Sequence, residues 1–258
     1  MNWKPFVAAG TGIFLLQACS GSGPQAEQNE EQAELTISAA ASLQDALTEV
    51  QKSFANEHPD ISLAFNYGGS GTLKQQIERG GPADVFLSAS ASHYNDLEEE
   101  NIMVEAAEPA FAENALVAVV PKDSAAEELQ SVLDGSGRIA VATPEAAPAG
   151  RYTREALTSM EEWESVQERI VFAKDVRHTL TLVERGNAAV GFVYASDAHG
   201  AEVRVLEEID PSLYSPIHYY GGAVAGNGNE EESREFMKYL QSSEAQNILR
   251  SHGFSDPE

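Results

Sequence analysis

Apolar residues arrive in this chain as short dense runs, and between the runs they recur every three or four positions. Leu35-Thr36-Ile37-Ser38-Ala39-Ala40-Ala41 predicts a buried strand that ends in small residues. Ser42 follows where a helix would begin, ahead of Leu43, Ala46, Leu47, Val50 and Phe54 at helical spacing. Ile61 to Tyr67 reads as a second strand, which enters the loop Gly68-Gly69-Ser70-Gly71-Thr72. A helix from Leu73 to Arg79 comes next, stopped by Gly80-Gly81-Pro82. Val85 to Ser88 is a third strand. Ala115 to Val120 is an apolar stretch ended by Pro121. Beyond it the pattern gives a strand over Arg138–Ala142, a loop over Thr143–Gly150 and a helix over Tyr152–Met160. Val171–Ala173 is then a strand, Val176–Glu184 a helix and Ala189–Tyr194 a strand. Tyr214–Val224 is extended, and Glu230–Ser251 is a last helical region. Strands alternate with helices throughout, which predicts an α/β chain with largely parallel sheets.

The N-terminus has a different character. Lys4 precedes a short apolar run from Phe6 to Leu16, broken by Gly10 and Gly12. The run is too short for a membrane span but suits the core of a signal peptide. It ends in Leu16-Gln17-Ala18-Cys19, which looks like the lipobox of bacterial lipoproteins. That box implies cleavage after residue 18 and a diacylglyceryl group on Cys19. The sequence holds one cysteine, so no intrachain disulfide can form. Residues 19–34 are rich in Gly, Ser, Gln and Glu without apolar periodicity, and read as a flexible tether.

Charge narrows the function. There are 41 Asp and Glu against 16 Lys and Arg, a formal net charge of −25. Nucleic acid needs a basic footprint, so it is not expected as a partner. Such a surface also repels small anions at long range, and any anion site here would have to bind through local dipoles.

Three places share one local design, a strand followed by a small-residue loop and a helix: Ala41-Ser42, Gly69-Ser70-Gly71-Thr72 and Ala147-Pro148-Ala149-Gly150. Lys174-Asp175-Val176 opens a helix in the same way. Loops of this kind aim backbone N–H groups and hydroxyls at one point, and the helix N-terminus adds positive partial charge. They can hold a dianion without lysine or arginine. Each motif taken singly is no more than a cap or a turn.

Taken together the motifs are specific. Ala39-Ala40-Ala41-Ser42-Leu43, Ser70-Gly71-Thr72-Leu73 with Gln76-Ile77, and Pro82-Ala83-Asp84-Val85-Phe86 appear in that order. They are followed by Pro148-Ala149-Gly150-Arg151-Tyr152, Asp175-Val176-Arg177, Leu182-Val183-Glu184-Arg185 and Gly191-Phe192-Val193-Tyr194-Ala195-Ser196-Asp197, with Gly253-Phe254 near the end. Over about Leu35 to Phe254 the chain resembles the periplasmic molybdate-binding proteins of ABC transporters, the ModA family. The resemblance implies an α/β, two-lobed periplasmic-binding-protein fold of type II, with the ligand between the lobes. It divides the chain into a signal peptide (1–18), the tether (19–34), lobe one (35–112 with 221–258) and lobe two (113–220).

The site follows by the same correspondence. Ser42 and Ser70 would donate to the oxyanion through hydroxyl and backbone N–H, Ala149 and Val176 through backbone N–H, and Tyr194 through its phenol. The metal of molybdate or tungstate would be held only through its oxygens, by these same residues, and no cofactor is expected. One departure is visible: Gly68-Gly69-Ser70-Gly71 is richer in glycine than the family's serine-rich loop. Asp84, Asp175 and Asp197 lie near these loops and are expected to be structural, since a carboxylate facing a dianion would repel it.

Molybdate and tungstate only accept hydrogen bonds, so a shell made of donors favours them over protonated phosphate. Sulfate is also a pure acceptor and must be rejected by size; a sulfate-binding protein is the alternative within the class. An iron carrier would need paired tyrosines with His or carboxylate ligands; Tyr219-Tyr220 is read instead as hinge packing. From a different class, a serine hydrolase would use Ser70, but Thr72 stands where the nucleophile elbow needs glycine. The expected protein is thus not an enzyme. It is an exported, monomeric, membrane-anchored binding lipoprotein that delivers its ion to a permease with its ATPase.

Overall fold

A computed structural model describes residues 32–104 and 110–257. The expected signal peptide, Cys19 and most of the expected tether lie outside them. The first strand, β1, runs over Ala33–Ala40 into a 3-10 turn at Ala41–Leu43 and the helix α1 (Gln44–Glu57). Then come β2 (Ile61–Gly68), α2 (Ser70–Glu78), β3 (Val85–Ser88), α3 (Ala91–Glu99), β4 (Ala110–Asn114) and β5 (Leu116–Pro121). The middle of the chain holds α4 (Leu129–Leu133), β6 (Ile139–Ala142), α5 (Pro148–Ser159), α6 (Trp163–Val166), β7 (Ile170–Ala173) and α7 (Val176–Glu184). It closes with β8 (Val190–Tyr194), α8 (Ala195–Ala198), β9 (Val203–Glu208), β10 (Ile217–Ala223), α9 (Glu230–Leu240) and α10 (Ser243–Ser251).

The strands form two five-stranded sheets, ordered β2-β1-β3-β10-β4 and β7-β6-β8-β5-β9. The chain passes from the first to the second after Asn114 and returns at Ile217. Each sheet carries a parallel trio at one side: β1 pairs parallel with β2 and β3, and β6 with β7 and β8. The expectation of largely parallel sheets needs correcting here. β10 runs antiparallel to β3 and β4, and β5 antiparallel to β8 and β9, so both sheets are mixed. β10 and β5 each enter their sheet from the crossing, and so run against the trio they join.

Burial follows the apolar runs. β3, β6 and β8 are buried along their whole length, as expected of strands covered on both faces, and so is β5 up to Pro121. α1 buries Ala46, Leu47, Val50 and Phe54, the stripe that its periodicity predicts. Phe54 packs edge-on against Phe236 of α9 and Tyr239, which ties α1 to the C-terminal helices.

Several elements depart from the sequence reading. α5 begins at Pro148, inside the expected loop, because proline at the first helical position is already set for the helix. Its third residue, Gly150, sits so close to β6 that a Cβ there would lie 1.9 Å from the carbonyl oxygen of Ala142. The last helical region is two helices, divided where the Ser242 side chain accepts from the Ala245 N–H and starts α10. α3, with only Tyr94 and Leu97 buried, and the edge strands β4 and β9 carried too little apolar periodicity to be read.

Candidate functional site

The carboxyl ends of the two parallel trios face each other. In open α/β sheets this is where ligands bind, because loops and helix N-termini gather there. β1 ends at Ala40, β2 at Gly68 and β8 at Tyr194. Together with Ser42, Ser70, Ala89, Ala147, Ala149 and Val176, these residues line one pocket with a cavity volume of about 10 Å³. A water needs about 10–15 Å³ of such volume, so in this closed arrangement the pocket has room only for something small.

All five residues expected at the site lie on that pocket, and all are buried: Ser42 (5% exposed), Ser70 (0%), Ala149 (2%), Val176 (4%) and Tyr194 (1%). Ser70 and Val176 are the first residues of α2 and α7, and Ala149 is the second of α5. First-turn N–H groups have no acceptor inside their own helix and carry the positive end of the helix dipole. Three helices therefore present their N-terminal ends at one pocket, α2 from the first sheet and α5 and α7 from the second. Ser42 arrives differently, within the 3-10 turn after β1 rather than at the start of an α-helix.

The hydroxyls are held in place. Ser70 Oγ accepts from the Ala89 N–H at 3.1 Å, which leaves its own proton to be donated. Ser42 Oγ is 2.8 Å from the phenol oxygen of Tyr219. The hydroxyl of Tyr194 is buried and has no hydrogen-bond partner among the described residues. Burial and the neighbouring Tyr219 hold its pKa well above that of free tyrosine, so it stays a neutral donor.

Two of the three nearby aspartates are hydrogen-bonded elsewhere, and the third, Asp197, has no hydrogen-bond partner among the described residues and only Arg177 as its counter-charge. Asp84 accepts from the Thr36 N–H at 2.6 Å and the Asn229 amide at 3.0 Å. Asp175 caps α7 through the His178 N–H at 2.8 Å. Asp197 is buried, with Arg177 Nη1 3.7 Å from its carboxylate. No cluster of three or more His, Cys, Asp or Glu suited to a metal ion occurs among the described residues.

The cleft is shut. The Thr72 N–H donates across it to the Ala146 carbonyl at 3.2 Å, and the Tyr152 phenol to the Ala89 carbonyl at 3.3 Å. Arg151 donates to Ser92 and Ser90 hydroxyls at 3.0 and 3.2 Å, and Arg177 pairs with Asp45 at 2.8 Å. The glycine-rich loop now has a reason. A Cβ on Gly69 would lie 2.5 Å from the Ala146 carbonyl oxygen, and one on Gly71 3.0 Å from that of Glu145. Side chains there would hold the two sheets apart.

Residues 35–255 match the family model for bacterial extracellular solute-binding proteins. This chain belongs to that family. Among its relatives, Bacillus subtilis YvgL is 39% identical over 257 residues, covering 98% of both chains. The molybdate-binding protein ModA of Haemophilus influenzae is 37% identical over 232 residues, covering 86% of this chain and 90% of that one. The periplasmic molybdate-binding protein of Azotobacter vinelandii shares the fold, with a TM-score of 0.79 at 23% identity over 87% of this chain and 100% of its own. The α/β type II fold expected from sequence is therefore the fold of this solute-binding protein. Sequence reasoning did not assign Ala89 or the contact of Tyr219 with Ser42. Ala89 supplies an ordinary backbone N–H, and only the alternation of β10 hinted that Tyr219 faces inward.

Two outcomes follow. Gly69→Ala should weaken ligand binding roughly 5- to 150-fold by opposing closure, with little change in unfolding of the unliganded protein; titration calorimetry and denaturant melts separate the two. The second concerns Asp197, whose pKa burial raises to about 7 against the opposing pull of Arg177. The unfolded chain releases this proton near pH 4, so the native state holds more protons between about pH 4 and 7 and loses stability as pH rises through that window. Asp197→Asn should flatten this decline and gain stability above pH 7, as read from urea midpoints at pH 5 and 8.

Proposed function

We propose that this solute-binding protein is the capture component of an ABC importer and takes molybdate or tungstate as the bare dianion. The observation that carries the reading is the buried, unpartnered hydroxyl of Tyr194 on a closed pocket with no charged residue in its lining. A neutral donor hidden from water is costly unless a ligand oxygen completes it. Ser42, Ser70, Ala149, Val176 and Tyr194 are the donors, the first two from the first sheet and the other three from the second. The two sheets are the cores of two lobes, about 35–112 with 221–258 and about 113–220, bounds that fall inside β4 and β10 of the first sheet, and only their closed arrangement completes the shell. Ligand thus favours closure by the contacts it gains there.

Selectivity rests on donor chemistry and on size. Monohydrogen phosphate brings an O–H that finds no acceptor among donors. Sulfate is smaller than molybdate, and each donor it fails to reach costs about 1–3 kcal/mol. No step of bond making or breaking is involved, and the protein is not an enzyme. The ion is then handed to a membrane permease driven by its ATPase.

The relative YvgL is named "Putative ABC transporter substrate-binding lipoprotein", a name in line with the reading of Cys19 as the lipid-bearing residue after cleavage of residues 1–18. The protein then acts as a monomer on the outer face of its membrane. Diacylglyceryl plus any N-acyl chain supplies the two-chain anchoring that a single chain does not.

Titration with molybdate, tungstate, sulfate and phosphate tests the ligand. Micromolar or tighter binding of the first two is expected; binding of sulfate or phosphate in their place would refute it. Tyr194→Phe should weaken molybdate binding about 10- to 150-fold, the loss of one bond to a charged acceptor. For the anchor, Cys19→Ala should release the protein from membranes and abolish fatty-acid labelling, and an unlabelled wild type would rule the lipobox out.

A further inference from the structure

Asn114, Tyr219 and Ser42 form a chain of hydrogen bonds that runs from the crossing between the sheets to the pocket. Its polarity can be worked out atom by atom. Asn114 Oδ1 receives the N–H groups of Ala115 at 3.0 Å and Ser196 at 3.4 Å. A backbone N–H only donates, so the atom facing both must be the amide oxygen. The amide nitrogen therefore faces the other way, to Ser196 Oγ at 2.7 Å and the Tyr219 phenol oxygen at 3.3 Å. That nitrogen only donates, so the phenol accepts from it. The phenol has one proton left, and Ser42 Oγ at 2.8 Å is the acceptor within reach among the described residues. Ser42 Oγ is then an acceptor on the Tyr219 side, and its own proton is free for the pocket.

We propose that Tyr219 is a positioning residue for this site: with its direction set by Asn114, it fixes the Ser42 hydroxyl as a donor toward the bound oxyanion. The inference rests on the oxyanion reading above and adds a residue that does not touch the ligand. The ring is well suited to the task. It is fully buried, with Phe254 edge-on at 5.3 Å, Tyr194 at 6.2 Å and Phe111 at 6.1 Å between centroids. A phenol packed on three sides presents its oxygen in one place. The reverse polarity, with Ser42 donating to Tyr219, would leave the phenol proton without an acceptor and spend the serine proton away from the pocket. Without the phenol, Ser42 keeps its hydroxyl but loses the bond that aims it.

A double-mutant cycle reads this directly, with molybdate as titrant and the purified protein as receptor. Tyr219→Phe should weaken binding about 2- to 12-fold, the worth of one neutral hydrogen bond. In a Ser42→Ala background the same change should cost nothing further, because the hydroxyl it aims is gone. A merely structural role for Tyr219 would cost the same in both backgrounds, and that result overturns the proposal, as does full affinity in Tyr219→Phe alone. Should Tyr219→Phe fail to fold, Asn114→Asp keeps the ring and offers the phenol an acceptor, which turns its proton away from Ser42. Weaker molybdate binding, with a smaller loss in the Ser42→Ala background, is then expected, and unchanged binding overturns the relay. If the wild type binds no molybdate, the reading of the site fails and the relay with it. If the wild type binds and the two changes simply add, the relay alone fails.

Discussion

A polar group buried without a partner costs about 1–3 kcal/mol, and Tyr194 carries that cost at the centre of this fold. Its phenol ends a fully buried strand, faces a closed pocket and finds no acceptor there. The rest of the site makes sense as the surroundings such a donor requires. The helices α2, α5 and α7 bring further N–H groups to the same point, and two of the aspartates that could spoil it, Asp84 and Asp175, are engaged elsewhere. In the proposed reading, neutral donors would let the pocket receive a negative ion without the buried lysine or arginine that would itself need a counter-charge in the empty state.

Close approach of backbone to backbone is the second requirement. Gly69 and Gly71 let the α2 loop meet the Glu145–Ala146 carbonyls, and Gly150 lets the first turn of α5 press against the end of β6. None of these glycines has a positive φ among the described residues, so their value lies in the missing side chain and not in backbone freedom. The pocket is small because three backbones come within contact distance around it. Ionic contacts such as Arg177 with Asp45 span the cleft outside the pocket lining.

Much of this was legible in the sequence, for reasons that can be named. Buried strands announce themselves as apolar runs, and small residues after a strand mark places where chain must pass close to something. That is why the loops holding Ser42, Ser70, Ala149 and Val176 could be singled out, while the choice of the five donors, Tyr194 among them, came from the resemblance to the molybdate-binding family. Mixed strand direction was not legible, because β10 and β5 look like any other apolar segment until their pairing partners are known. Nor was the Ser42–Tyr219 contact, since it joins residues 177 positions apart. Asn114 carries no local signal at all: one asparagine before an apolar run reads as a turn residue, and its four contacts come from three different parts of the chain.

The order in which the sheets are threaded has a consequence for how the molecule comes into being. All strands of the second sheet fall within Leu116–Glu208, one uninterrupted stretch, whereas the first sheet is split by it and is complete only when β10 has been made. During synthesis the inner stretch can therefore reach its final pairing while β3 and β4 still lack the strand that belongs between them. Closing so long a loop is entropically slow, and the exposed edges wait as templates for unwanted pairing. The last part of the chain to appear thus decides when the first part can settle.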